Sequence, residues 1–255
     1  MKTSILTLLA VFCIFQLSNC VESTADVALD VASAIVQNHA QVKGSGNLTE
    51  KEIKSSDFSS IENATSFDIE IKQGDKQNIK VLTDDNIQDF IYFQQTGEKI
   101  TFSIQKKASF EATKSIIYIT VVNLKSIISS GTGDIEIGKL STDEFKIENY
   151  GTGDIKYLSV SNKTLSIINS GTGDVKLEGN IENIIIENSG TGDISAQALK
   201  ADVAKLTNSG TGDVSITAVN DLSIDNSGTG DVTYYGTPQN KTINSSGVGE
   251  VIKKE

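Results

Sequence analysis

Residues 165–175 read LSIINSGTGDV, and this motif returns every 18 to 20 residues through the second half of the chain. The last copy is degenerate, with Val248 in place of Thr and Glu250 in place of Asp. A fixed period of this length indicates a repeat architecture in which each copy is one structural unit. The first glycine of the motif falls at seven positions, separated by 20, 20, 19, 20, 18 and 19 residues: Gly131, Gly151, Gly171, Gly190, Gly210, Gly228 and Gly247.

Two aliphatic columns flank the motif, one four residues before its first glycine and one four residues after it. Residues of equal parity along a strand point to the same face, so these columns line a shared interior. One turn of chain cannot bury them alone, whereas turns stacked at about 4.8 Å bury each copy against the next and give roughly 34 Å of core. The sequence therefore predicts an all-β fold, a single-stranded parallel β-helix with 19–20-residue coils. The columns are Ile127, Ile147, Ile167, Ile186, Leu206, Ile224, Ile243 and Ile135, Ile155, Val175, Ile194, Val214, Val232, Val251.

The turn between these columns carries Gly and Asn at fixed places. The second glycine of the motif is present in all seven copies, which predicts either a positive φ or a site too crowded for a Cβ atom. An Asn two residues before the first glycine predicts a buried ladder of side-chain amides. These residues are Asn149, Asn169, Asn188, Asn208 and Asn226.

Thr and Asp occupy the opposite parity and are expected to form two outward stripes. We interpret them as solvated turn residues in which the Thr hydroxyls cap the Asp side chains, and two alternatives stay open: a cation such as Ca²⁺ bound along the stripe, or a ligand-recognition face. Neighbouring carboxylates about 4.8 Å apart repel by only about 0.9 kcal/mol in water, so the stripe is tolerable. The stripe residues are Thr132, Asp134, Thr152, Asp154, Thr172, Asp174, Thr191, Asp193, Thr211, Asp213, Thr229 and Asp231.

Composition limits the partners. The chain of 255 residues carries a formal charge of −11 and no Arg, so nucleic acid and acidic polysaccharides are poor partners. No catalytic residues and no required cofactor emerge. A polysaccharide-active β-helix enzyme is the enzymatic alternative, but coils that vary by only two residues leave no room for long loops around a cleft.

The N-terminal segment is typical of an export signal. Residues 1–19 begin with Lys2 and continue through an apolar stretch too short to span a bilayer, which predicts a signal peptide. Cys20 follows in Leu-Ser-Asn-Cys, which resembles a bacterial lipobox although Asn19 departs from the usual small residue; acylation of Cys20 would anchor the chain to a membrane by lipid alone. Residues 20–43 are then a tether, and the alternative is a conventionally cleaved protein with a free thiol.

Residues 44–124 are irregular and predict longer coils or a cap, whereas residues 125–255 form the regular repeats. A continuous β-branched and aromatic run at Ile116–Val122 predicts a strand buried on both faces. Other strands are predicted at Ser66–Lys72, Asn78–Leu82, Phe90–Phe93 and Ile100–Ile104.

The stretches Val42–Asn47 and Ser66–Asp75, together with the Gly-Thr-Gly-Asp copies, resemble bacterial GIN domains. The resemblance covers residues 42–255 and implies a β-helical adhesin head on an exported protein, with no catalytic residues to transfer. Within it, Gly44-Ser45-Gly46-Asn47 is interpreted as a diverged first copy of the repeat. We therefore expect a non-enzymatic surface or envelope module, secreted or lipid-anchored, that binds a surface protein or glycan and could associate with copies of itself. A cation-binding envelope protein is a further alternative.

Overall fold

A computed structural model describes residues 41–105 and 109–255. These residues form strands and one 3-10 turn, Gln88–Phe90, and contain no α-helix. The strands are Val42–Lys43 (β1), Leu48–Ile53 (β2), Ser60–Ala64 (β3), Asp68–Gln73 (β4), Asn78–Asp84 (β5), Ile91–Thr96 (β6), Lys99–Ile104 (β7), Phe110–Glu111 (β8), Ser115–Val121 (β9), Ser126–Ser129 (β10), Ile135–Ile137 (β11), Glu144–Asn149 (β12), Ile155–Val160 (β13), Thr164–Asn169 (β14), Val175–Asn188 (β15), Ile194–Asn208 (β16), Val214–Asn226 (β17), Val232–Tyr235 (β18), Asn240–Ser245 (β19) and Val251–Lys253 (β20).

The chain divides into two units. In the first, β1 and β8 pair in parallel, with Val42 opposite Phe110. The second unit holds all the other strands.

Successive coils of the second unit build two stacks of parallel strands. Stack A runs in space through β7, β3, β10, β12, β14 and the second halves of β15, β16 and β17 to β19. Stack B runs through β9, β4, β11, β13 and the first halves of β15, β16 and β17 to β18 and β20. Each coil contributes one strand to each stack, so the predicted parallel β-solenoid is confirmed.

The two aliphatic columns lie in single file, as predicted. Ile147 is directly opposite Ile127 on one side and Ile167 on the other, and Ile155 likewise separates Ile135 from Val175. These side chains are at most 1% exposed until the last coil. Both columns also extend backwards, to Ile61 and Ile100 in stack A and to Ile69 and Ile117 in stack B.

The coil before the regular repeats is formed by β3 and β4. Asn63 and Asp68 take the Asn and Asp places of the motif, since Asn63 pairs with Ser129 and the Asp134 amide donates to the Asp68 carboxylate at 2.9 Å. The interpretation of Gly44–Asn47 as the diverged first copy is therefore wrong. Those residues precede β2, which is antiparallel to β5 and lies outside the parallel coils.

Antiparallel strands close the N-terminal end of both stacks. In stack B, β5 pairs with β9 and β2 pairs with β5, both antiparallel. In stack A, β6 pairs with β7 in the same way. Strands β5, β6, β7 and β9 thus lie beyond β3 and β4 although they follow them in sequence, and β10 lies on the other side of β3.

Crowding, not a positive φ, explains the motif glycines. Their φ angles are not in the positive range, but a Cβ atom at Gly192 would lie 2.2 Å from the carbonyl oxygen of Gly173 in the preceding coil. A Cβ at Gly133 would lie 2.0 Å from the Phe67 oxygen. In both cases the clashing atom belongs to the preceding coil. The coil before the first repeat, with its turn at residues 63–68, carries Thr65 and Phe67 in the two glycine places.

The predicted amide ladder is present and buried. The Asn149 Nδ2 donates to the Asn169 Oδ1 at 3.0 Å and to the Gly173 carbonyl at 2.9 Å, and the pattern continues through Asn188 and Asn208 to Asn226. Because each amide donates to the next, the buried Asn side chains are paired with one another. Ser129 interrupts the ladder, and its buried hydroxyl has no partner.

We predict that Ser129→Asn stabilises the protein. An Asn here lies in register between Asn63 and Asn149 and can donate to the Asn149 Oδ1 and the Gly153 carbonyl, as Asn149 itself does one coil further on. The free energy of unfolding should rise by about 1 kcal/mol, measured by chemical denaturation. The matched variant Ser129→Ala removes the unpaired hydroxyl and should be near neutral. If the Ser129→Asn protein is less stable than the wild type, an Asn at this position does not join the amide ladder and the prediction is wrong.

Candidate functional site

The Thr/Asp stripe lies on the outside of the turn between stack A and stack B. Its Asp residues are exposed or half-exposed, and its Thr residues are exposed, whereas the glycine between them is buried in every coil from β11 onwards. The predicted outward orientation is therefore observed. The Thr hydroxyls donate no hydrogen bond to the Asp carboxylates in the described structure, so the expected Thr capping is wrong.

The Asp carboxylates instead bond to the main chain of the next coil. The Asp154 amide donates to the Asp134 Oδ1 at 2.8 Å, and the Asp154 carbonyl accepts from the Ile135 amide at 2.8 Å. Both backbone groups of Asp154 thus face the preceding coil, and the preceding carboxylate supplies the acceptor that a regular strand would have supplied from its main chain. The same bond recurs at 2.7–2.9 Å from Asp68 to Glu250.

This ladder of hydrogen bonds gives the Asp column a structural role that requires no bound cation. One oxygen of each carboxylate is engaged by a backbone amide, and the residues described contain no group of three or more His, Cys, Asp or Glu side chains placed to hold a metal ion. Binding of Ca²⁺ along the stripe stays a prediction, and substitution can separate the two roles.

We predict that Asp174→Asn is tolerated, whereas Asp174→Ala lowers the free energy of unfolding by up to about 1 kcal/mol. Asn keeps the oxygen that accepts from the Asp193 amide and relieves like-charge repulsion, whereas Ala removes the acceptor. Thermal unfolding of both variants and the wild type, in calcium and in a chelator, provides the measurement. If calcium instead raises the Tm of the wild type, and Asp174→Asn reduces that increase, a cation site is established.

A second candidate site is a depression on the outer face of stack B, and the sequence did not reveal it. It has a volume of about 460 Å³ and lies across five adjacent strands, β2, β5, β9, β4 and β11. Lys80, Tyr118, Glu70 and Glu136 stand directly opposite one another on successive strands and form its floor. Gly138, which follows the short strand β11, also lines the depression and contributes no side chain.

Tyr118 and Thr120 in the depression correct a further expectation. Both point outward from β9 and are half-exposed, so the run Ile116–Val122 is buried on one face only. The prediction of a strand buried on both faces excluded Tyr118 and Thr120 from the outer face, and the other residues of the depression come from strands distant in sequence.

Hydrogen bonds to Asp84 hold the first residues of the second unit in place. The buried Asp84 carboxylate accepts from the Gly46 amide at 2.7 Å and from the Thr113 amide and hydroxyl at 2.7 and 2.9 Å. Burial alone would raise the pKa of Asp84, but these hydrogen bonds outweigh it and hold the pKa below the ordinary value for Asp. A Cβ atom at Gly44 would lie 2.4 Å from this carboxylate, which accounts for the glycine. The Gly44–Asn47 segment is therefore held against the end of β5 by the Asp84 carboxylate.

Tyr157 is a buried side chain with a structural role. Burial raises the pKa of Tyr157 to about 12, although its hydroxyl donates to the Asn162 Oδ1 at 2.8 Å. The predicted signal peptide and Cys20 lie outside the described residues. Within residues 41–105 and 109–255, no helix has the length and apolarity needed to cross a membrane.

A family model described as "Putative auto-transporter adhesin, head GIN domain" matches residues 57–238. The chain belongs to this GIN-domain family. The match covers the regular repeats up to β18 and also the coil of β3 and β4.

Solved structures share the GIN-domain fold. One, described as a putative adhesin from Bacteroides fragilis NCTC 9343, has 28% sequence identity and a TM-score of 0.78, with 84% of this chain and 100% of that chain covered. A putative lipid binding protein from Parabacteroides distasonis ATCC 8503 has 22% identity and a TM-score of 0.67, with coverage of 85% and 100%. A putative adhesin from Parabacteroides merdae ATCC 43184 has 22% identity and a TM-score of 0.63, with coverage of 84% and 99%. No curated protein sequence matches the chain.

Proposed function

We propose that this chain is an exported, non-enzymatic protein of the bacterial cell envelope whose GIN domain attaches the cell to a partner outside it. Membership of the GIN-domain family is the observation that carries the proposal, because the family description names an adhesin head. The solved structure from Bacteroides fragilis, 28% identical to this chain, is also described as a putative adhesin.

The architecture of the described residues is consistent with attachment. The regular coils differ in length by only two residues, so their outer faces are flat and carry no long loops. A flat face of exposed side chains suits contact with an extended surface, whereas a hydrolase or lyase needs groups held at defined separations around a bound chain. The formal charge of −11 directs the domain away from anionic polymers.

We predict that bacteria displaying the full-length chain attach to surfaces coated with host glycans or matrix proteins better than bacteria without it. The matched control is Gly192→Val, in which the first side-chain atom would lie 2.2 Å from the Gly173 oxygen and the coils cannot stack. Adherent cells are counted at equal surface levels of the two proteins, verified by antibody. Equal attachment of the two strains to every surface would refute the adhesin proposal.

We also propose that Cys20 is acylated and holds the protein at the membrane. The Cys20→Ser protein should move from the membrane fraction to the soluble fraction and lose incorporation of labelled fatty acid. Cys13→Ser is the matched control, because Cys13 lies in the predicted signal and would be removed with it. Unchanged membrane retention of Cys20→Ser would rule out the lipid anchor while leaving the adhesin proposal intact.

A further inference from the structure

The depression on stack B presents polar side chains that have no hydrogen-bond or ion-pair partner among the described residues. The Tyr118 and Thr120 hydroxyls, the Lys72 ammonium and the carboxylates of Glu70 and Glu136 form no hydrogen bond or ion pair within it. By contrast, Lys80 and Glu50, which also line the depression, are paired, with Nζ and Oε2 3.0 Å apart. A concave surface with several unpaired donors and acceptors is suited to a ligand that offers both kinds of group.

The charge in the depression is close to balanced. Three carboxylates and two ammonium groups line it, and one pair of these is already neutralised by the Lys80–Glu50 contact. The whole chain is acidic and lacks the Arg fork that binds carboxylates and phosphates in two-point geometry. An anionic ligand is therefore disfavoured, and a neutral, polyhydroxylated ligand is not.

Tyr118 supplies an apolar contact at the centre of the floor. It stands between Lys80 and Glu70 on the neighbouring strands, and its side chain is half-exposed. Pyranose rings carry apolar C–H faces and hydroxyl edges, so they match an aromatic ring surrounded by hydrogen-bonding groups. A purely apolar ligand would instead cover five unpaired polar groups, at the cost of their hydration.

The floor of the depression offers no strand edge to a peptide. Of the five strands that line it, β5, β9, β4 and β11 are hydrogen-bonded to a neighbour on both sides, and only β2, the outermost of the five, has a free main-chain edge. A ligand on the floor is therefore recognised by side chains.

We propose that this depression is the glycan-binding site of the domain and that its ligand is a neutral oligosaccharide, with a sugar ring against Tyr118 and its hydroxyls bonded to Thr120, Lys72 and Glu70. This proposal deepens the adhesin function above and rests on it. The volume of about 460 Å³ lies in the range of small-molecule sites in proteins, roughly 300 to 1,000 Å³.

The test is binding of the purified full-length chain to an array of neutral, amino-substituted, uronic-acid and sulfated oligosaccharides, followed by calorimetric titration with the best neutral binder. Tyr118→Ala should weaken that binding at least about tenfold. Tyr92→Ala is the matched control, because Tyr92 is 56% exposed on β6 in the other stack and should bind as the wild type does. Circular dichroism and Tm establish that both variants are folded, and Thr120→Val provides a second, smaller change in the same site.

Each result decides the matter. Binding of neutral glycans lost in Tyr118→Ala and reduced in Thr120→Val, with Tyr92→Ala unaffected, supports the site. Neutral binding that survives Tyr118→Ala, or binding of sulfated and uronic-acid glycans alone, overturns this site while the adhesin proposal stands. If the array shows no binding but cells displaying the chain still attach to protein-coated surfaces, the glycan proposal fails and the adhesin proposal survives; if both fail, the adhesin proposal falls as well.

Discussion

In-register stacking of identical backbone turns is the constraint on which this domain depends. In a globular core, different side chains fill the interior by complementary shape, but here each buried group is satisfied by its own copy one coil away. Ile packs on Ile, the Asn amide bonds to the next Asn, and the Asp carboxylate receives the next Asp amide. A single deviation in coil geometry would displace all of these contacts together, which explains why the turn is far more uniform than the strands beside it.

The Asp column shows how the same constraint resolves a conflict between charge and hydrogen bonding. Stacking places like charges about 4.8 Å apart, at a cost of about 0.9 kcal/mol per pair in water before screening. A hydrogen bond to a charged acceptor contributes about 1.5–3 kcal/mol, and exposure to solvent lowers both figures. The bond is at least comparable with the repulsion and offsets the cost of placing carboxylates in a row, and the acidic stripe follows from the backbone direction at the turn.

Sequence periodicity was sufficient to predict the repeats but not the order of the strands before them. The columns through Ile147 and Ile155 and the outward Thr and Asp stripes could be predicted because parity and period are local properties. Asn63 and Asp68 were missed because the coil of β3 and β4 carries Thr65 and Phe67 in the glycine places. The antiparallel pairings of β5 and β6 depend on contacts distant in sequence, for which no repeated motif gives a register.

The depression arises where these two regimes meet. Parallel coils give a flat outer face, since each strand lies over its predecessor in the same direction. At β9 the neighbour on one side is parallel β4 and on the other antiparallel β5, and β11 ends after three residues at Gly138. The face there is no longer a repetition, so side chains such as Tyr118 and Thr120 can differ from their neighbours without breaking a ladder. Specific recognition requires such non-repeating positions, and the capped end supplies them while the repeats provide the rigid support.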